Sequence, residues 1–232
     1  MTLGIIGAMI EEITPLLELF GDYKGRQVGG NTYYEIQRGE HKIFVAYSKI
    51  GKVHSALTSS TMILHFGCEK IIFSGVAGGL SADLKVGDLI LGQKLCQYDV
   101  DISAFGHPLG FIPESKIFIE SDATLNSIAR EIAKKQGIKL KEGTIASGDA
   151  FIADSQKKQW IIQHFGADAV EMEGASVAVV CDLLAVPFCI LRSISDSADG
   201  NADVSFDEFL VSSAKRSADF VMMMCEMILA HK

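Results

Sequence analysis

The stretch "LGIIGAMIEEITPLLELF", residues 3–20, changes its period partway along. Residues 3–9 form an apolar run ending in small side chains, which predicts a strand buried on both faces. From Glu11 onward the apolar residues recur every three or four positions, the pattern of an amphipathic helix. Pro15 falls inside that pattern and puts the helix start close before it, since proline suits a first turn.

The same switch repeats along the chain. Strands are expected at 31–36 and 41–48, followed by a helix over 51–67 that Gly67 closes. "KIIFSGVAGGL" (70–80) reads as a second buried strand running into a glycine cluster, and 87–101 as another strand. Residues 103–120 read as a long loop with Pro108 and Pro113. A capped helix over 121–137 precedes a strand in 141–152 and a helix over 156–166. A strand at 167–174 leads into a helix over 175–185, then a strand at 187–199 and a long helix over 205–232. Alternating strands and helices imply an α/β protein with a mainly parallel sheet covered on both faces. No linker, repeat or abrupt change of composition divides the 232 residues, so a single domain over 1–232 is expected.

With 21 Lys+Arg against 29 Asp+Glu the net charge is −8, a poor match for a phosphate backbone, so no nucleic acid partner is expected. The five cysteines make no CxxC pair, which suits a reducing cytoplasm. "MTLGIIGAMIEEI" has no basic leader, and no apolar run is long enough to span a membrane, so neither a signal peptide nor a membrane anchor is expected. The six histidines show no HExxH or i, i+4 pairing, and no serine lies in a GxSxG elbow.

Carboxylates remain. In open α/β sheets reactive groups gather where strands end, which makes Glu12, residues 75–79, 147–152, 171–173 and 195–196 candidates for one shared rim. Glu12 either complements the dipole of its helix, as Glu11 does, or faces the site as a general base. Asp196 caps a turn or acts on a ligand. Glu171 and Glu173 alternate with apolar neighbours, so in a strand both point to one face. There they meet Arg192 or a lysine, or else a polar ligand. The glycines of "SGVAGGL" serve a tight turn or a close approach of backbone to a ligand.

Taken in order, "GIIGAMIEEI", "SKIGKVHSA", "SGVAGGL", "KVGDLI", "DVDISAFG", "ASGDAFI", "AVEMEGASVA", "RSISDSAD" and "SFDEFL" resemble the methylthioadenosine/S-adenosylhomocysteine nucleosidases of the nucleoside phosphorylase superfamily. The resemblance runs from Gly4 to about Leu210. It implies a three-layer αβα sandwich around a central mixed, mainly parallel sheet, a homodimer, and hydrolysis of an adenine N-glycosidic bond without metal or organic cofactor. It implies Asp196 as the acid on adenine N7, with Ser195 supporting it, and Glu12 as the base on water. Glu173 and Met172 then hold the ribose, and Phe151 and Ile152 the adenine. Met9, Ile50 and Phe206 line the 5′ pocket beside the Val76-Ala77-Gly78 segment, and Ile102, Phe105 and Pro113 reach the partner's site. Where many relatives carry serine this chain has Val76, which leaves that position a backbone role only.

The acids suit the chemistry. Adenine leaves once protonated, and the sugar develops positive charge, so an acid at the base and a carboxylate holding water divide the work as in an inverting glycosidase. A purine nucleoside phosphorylase would need cations or backbone amides for phosphate, yet residues 1–25 and 47–128 hold no arginine. A silent nucleoside-binding module would not require all three of Glu12, Glu173 and Asp196. The 5′ group stays open among 5′-methylthioadenosine, S-adenosylhomocysteine, 5′-deoxyadenosine and 6-amino-6-deoxyfutalosine, which spans methionine salvage and menaquinone synthesis.

Overall fold

The computed structural model describes residues 1–230, so His231 and Lys232, expected in the last helix, lie outside the described residues. The opening unit forms as its periods dictate. β1 (Thr2–Gly7) pairs in parallel with β4 (His41–Tyr47) on one side and β5 (Lys70–Gly79) on the other. Leu3 and Ile5 enter the core on one face of the sheet and Ile6 the core on the other. α1 (Ile10–Phe20) buries Glu12, Ile13, Leu16, Leu17 and Phe20. It starts five residues before Pro15, earlier than the proline suggests. Glu12, at the third helical position, reaches back to the Met9 N–H and secures that first turn.

α1, α3 (Ala123–Gln136) and α6 (Ala202–Ala230) cover one face; α2 (Lys52–Leu64) and α5 (Gly174–Leu183) cover the other. α4 (Ser155–Phe165) packs over a third, smaller cluster with Tyr98 and Ile152. The layered α/β architecture is therefore as expected, with two features that periodicity did not show. The first is a polar edge strand, β2 (Lys24–Val28), joined to β3 (Asn31–Arg38) through Gly29 and Gly30, both at positive φ. A two-residue Gly-Gly loop is a hairpin signal, but the exposed "KGRQV" carries no apolar alternation to accompany it.

The second is closure. β5 pairs with β10 (Phe188–Asp196), β10 with β6 (Leu89–Gln97), β6 with β8 (Leu140–Ser147), β8 with β9 (Ala169–Glu171), and β9 again with β5. Half of the sheet thus curls into a ring, and its mixed character follows, since β10–β6 and β5–β9 are antiparallel while the other three pairings are parallel. The segment expected as a continuous loop over 103–120 contains a short 3₁₀ turn (Ser103–Phe105) and a two-residue strand, β7 (Ile119–Glu120), on the edge of β6. Two residues of strand are too few to leave a periodic signal.

Candidate active site

The carboxyl ends of β1, β5, β9 and β10 meet the start of α6 around a cavity of about 430 Å³. Met9, Glu12, Ile50, Val76, Ala77, Gly78, Phe151, Met172, Glu173, Ser195, Asp196 and Phe206, all singled out from the sequence, line it. Ile152 does not; its side chain is buried with Tyr98, Ile161 and Phe165 behind the wall. Ile102, Phe105 and Pro113 also lie outside this chain's cavity, and Phe105 is 81% exposed.

Glu12 is buried while its neighbour Glu11 is exposed, which separates the two acids that open α1. Its Oε2 accepts the Ala8 and Met9 N–H groups at 2.5 and 3.0 Å, and its Oε1 accepts the Val76 N–H at 2.9 Å. The missing hydroxyl at Val76 thus leaves a working backbone donor. Burial raises the Glu12 pKa, against the opposing pull of the Arg192 charge and these three N–H donors.

Asp196 ends β10, fully enclosed. Its Oδ2 accepts the Ser195 hydroxyl at 2.9 Å and its Oδ1 the Ala198 N–H at 2.8 Å. The turn-capping contact and the siting in the cavity coexist in one side chain. Burial raises its pKa too, in the direction that favours the protonated acid.

The glycine cluster has a different purpose from a turn, because residues 75–79 belong to β5 itself. A Cβ on Gly75 would come within 2.5 Å of Glu12 Oε1, and one on Gly78 within 2.8 Å of Asp196 Oδ1. These glycines make room for the two acids against the strand.

Glu171 and Glu173 do not share a strand face, since β9 stops at Glu171 and Glu173 is the N-cap of α5. Glu171 pairs with Arg192 at 2.5 Å, both side chains being buried. Glu173 instead accepts the Gly51 N–H at 2.8 Å, bringing the start of α2 to the cavity. Burial, then the nearby Glu171 charge, pushes the Glu173 pKa up to about 8. Sequence reasoning missed Asp203 and Asp207, which also line the cavity one helical turn apart around Phe206; the spacing in "ADVSFDEF" was the available signal.

The raised Glu173 pKa carries a stability consequence. Between its ordinary value of 4.5 and about 8, the folded protein keeps a proton that the unfolded chain has released. The associated stability is complete below the lower value and is lost as pH rises through the upper one. Glu173→Gln should therefore raise Tm relative to the parent at pH 9 and change it little at pH 5, as calorimetry would show.

Residues 2–226 match the phosphorylase superfamily. The chain is 57% identical over 225 residues to the aminodeoxyfutalosine nucleosidase of Helicobacter pylori strain J99, covering 97% of this chain and 98% of that one. This chain belongs to the phosphorylase superfamily, within its methylthioadenosine/S-adenosylhomocysteine nucleosidase family. A 5'-methylthioadenosine/S-adenosylhomocysteine nucleosidase of Actinobacillus succinogenes is 38% identical, with 96% and 97% of the two chains covered. The crystal structure of the Helicobacter pylori 5'-methylthioadenosine/S-adenosylhomocysteine nucleosidase with butyl-thio-DADMe-Immucillin-A superposes with a TM-score of 0.96 at 56% identity, covering 97% and 98% of the two chains. The family assignment and the α/β fold agree with what the ordered motifs imply.

Proposed function

We propose that this protein hydrolyses the N-glycosidic bond of 5′-substituted adenosines, releasing adenine and the free sugar. Asp196 protonates adenine at N7, Glu12 activates the water, and Glu173 accepts a ribose hydroxyl, with Met172 beside it. Phe151 stacks on the base, and the Ile152 backbone bonds its edge. Phe206 stands edge-on to Phe151, ring centroids 5.4 Å apart, and with Met9 and Ile50 forms an apolar lining for the 5′ group.

One observation carries the choice of water over phosphate. Six carboxylates line the cavity (Glu12, Glu171, Glu173, Asp196, Asp203 and Asp207), and among the described residues no lysine, arginine or histidine does. A phosphate dianion entering there would find no cation on the lining and would be repelled by ionised Glu12, whereas a neutral water bound to Glu12 meets a base. The contacts of β5 add a scale: Gly75 beside Glu12 and Gly78 beside Asp196 are three residues apart, roughly 10 Å of extended chain. That spacing suits an acid and a base with a sugar and a water between them. Added phosphate should therefore change neither the rate nor the product. Sugar 1-phosphate in the mass spectrum would transfer the protein to the phosphorolytic reactions.

The substrate range includes 5′-methylthioadenosine, S-adenosylhomocysteine, 5′-deoxyadenosine and 6-amino-6-deoxyfutalosine. The relatives named for the last are the more similar by sequence, which favours a place on the menaquinone route beside methionine salvage. Comparing kcat/KM for the four ranks them.

The working unit in this reading is a cytoplasmic homodimer of single-domain chains. One continuous sheet runs through the chain, the five cysteines are free and buried, and no helix among the described residues is long and apolar enough to cross a membrane. Val53, Leu57 and Leu64 form an exposed apolar stripe on α2, the helix that brings Gly51 to Glu173. Ile102, Phe105 and Pro113 complete the partner's 5′ pocket. Phe105→Ala should raise KM for 5′-methylthioadenosine about tenfold, as loss of ~1–3 kcal/mol of apolar contact implies, with kcat largely kept. Sedimentation as a monomer, or an unchanged KM, would remove the partner's contribution.

A further inference from the structure

Glu171 is a buried acid for which the proposed reaction has no use, and its surroundings are unusually complete. Its Oε1 accepts the Ser147 hydroxyl from β8. Its Oε2 accepts from Arg192 on β10 at 2.5 Å, from the Gly174 N–H at 2.7 Å and from the Glu173 N–H at 3.2 Å. Three of these four donors converge on Oε2, which leaves that oxygen no acceptor site for a substrate hydroxyl. The two backbone donors are otherwise unpaired groups of the first turn of α5, and Ser147 accepts the Ala175 N–H of that turn at 2.7 Å. Glu171 thus holds, through one carboxylate, both the cation nearest the site and the backbone that carries Glu173.

Arg192 has little else to bind. Its guanidinium stacks on Phe73 at 4.0 Å and its Nε has no hydrogen-bond partner among the described residues, while Glu12 and Glu173 both feel its charge. Were Glu171 absent, Arg192 would be the uncompensated cation between those two carboxylates.

We propose that Glu171 is a positioning residue: it clamps the first turn of α5 so that Glu173 faces the ribose, and it holds Arg192 so that this cation does not form an ion pair with Glu173. The inference rests on the reading of Glu173 as the ribose ligand. The titratable groups facing Glu171 come from every side: Arg192 from β10, Glu173 from the start of α5, and the neutral Cys96 and Tyr98 from β6 and its end. Arg192 is the one cation among them, and Glu12 on α1 lies within its field. Burial first and the Glu171 charge second raise the Glu173 pKa to about 8 against the lowering pull of Arg192, so Glu173 keeps its proton at neutral pH.

The test is the titration of Glu173 in the substrate-free enzyme, followed by ¹³C NMR of glutamate-carboxyl-labelled protein and assigned by the resonance lost in Glu173→Gln. Glu171→Gln should lower the Glu173 midpoint by about one unit or more, because it removes the like charge of Glu171 and releases Arg192 together, and adding Arg192→Met should return part of that fall. Glu171→Asp keeps the charge and should leave the midpoint close to that of the parent. An unmoved midpoint in Glu171→Gln, with activity lost equally at every pH, would make Glu171 a structural support and overturn the proposal. If Glu171→Gln does not fold, Glu171→Asp decides by amide hydrogen exchange. The shorter acid keeps the charge but releases the first turn of α5, so the Glu173 and Gly174 amides should exchange at least ~10-fold faster than in the parent, and unchanged exchange overturns the proposal. Because no turnover enters the titration, its failure is separable from failure of the hydrolytic reading.

Discussion

Glu12→Gln and Asp196→Asn are each expected to cut kcat by at least ~100-fold, the range for loss of a general base or acid. Each substitution keeps the volume of the side chain. Gln at 12 can still accept on one side, from either the Val76 N–H or the Ala8 and Met9 N–H groups, and Asn at 196 can still accept the Ala198 N–H. What each loses is the proton chemistry. An amide at 12 cannot take a proton from water, and an amide at 196 cannot deliver one to adenine. The raised pKa values give the losses a pH signature. Glu12 must be ionised to act, so rates in the parent should fall on the acid side below a pKa above 4.5. Asp196 must be protonated, so rates should fall on the alkaline side above a pKa higher than 3.8. A bell-shaped profile follows, and each variant should lose its own limb. Near-parental kcat in either folded variant would remove that residue from the mechanism.

The largest stability effect should come from Arg192→Met. Arg192 and Glu171 form a buried ion pair with 1% and 3% of their side chains exposed. Removing one member leaves the other charged and unsolvated, at a cost of about 3–5 kcal/mol, or a fall in Tm on the order of 10 °C for a chain of this size. Glu12 and Glu173 sharpen the effect, since both lose the Arg192 charge that lowers their pKa. The double variant Glu171→Gln/Arg192→Met should recover most of the loss, because a buried ion pair replaced as a unit is often close to neutral. A thermal melt of the single variant within a degree or two of the parent would mean that the pair is far better hydrated than its burial indicates.

Much of the site was legible because its parts sit where strands end, and strand ends can be read from the point at which apolar runs stop. Met9, Glu12, the Val76–Gly78 segment, Glu173 and Asp196 come from separate stretches of sequence, and parallel strands bring such ends to one edge. What stayed illegible was long-range pairing. Periodicity reports which face of a strand is buried but not which strand covers it, so the ring from β5 through β10, β6, β8 and β9 left no local trace. The glycines of β5 were ambiguous for the same reason, since their need for space comes from Glu12 and Asp196 on other elements. Glu171 and Glu173 were equivalent by alternation alone. The end of β9 at Glu171 separates them into the acid that holds Arg192 and the acid that accepts the Gly51 N–H, both at the edge of the cavity.

The most direct test of the central claim is turnover of 5′-methylthioadenosine in H₂¹⁸O with phosphate present, products read by mass spectrometry. Hydrolysis as proposed releases adenine and puts one ¹⁸O atom on the sugar. Recovery of sugar 1-phosphate, or of unchanged nucleoside from this substrate and from the other three, would contradict it.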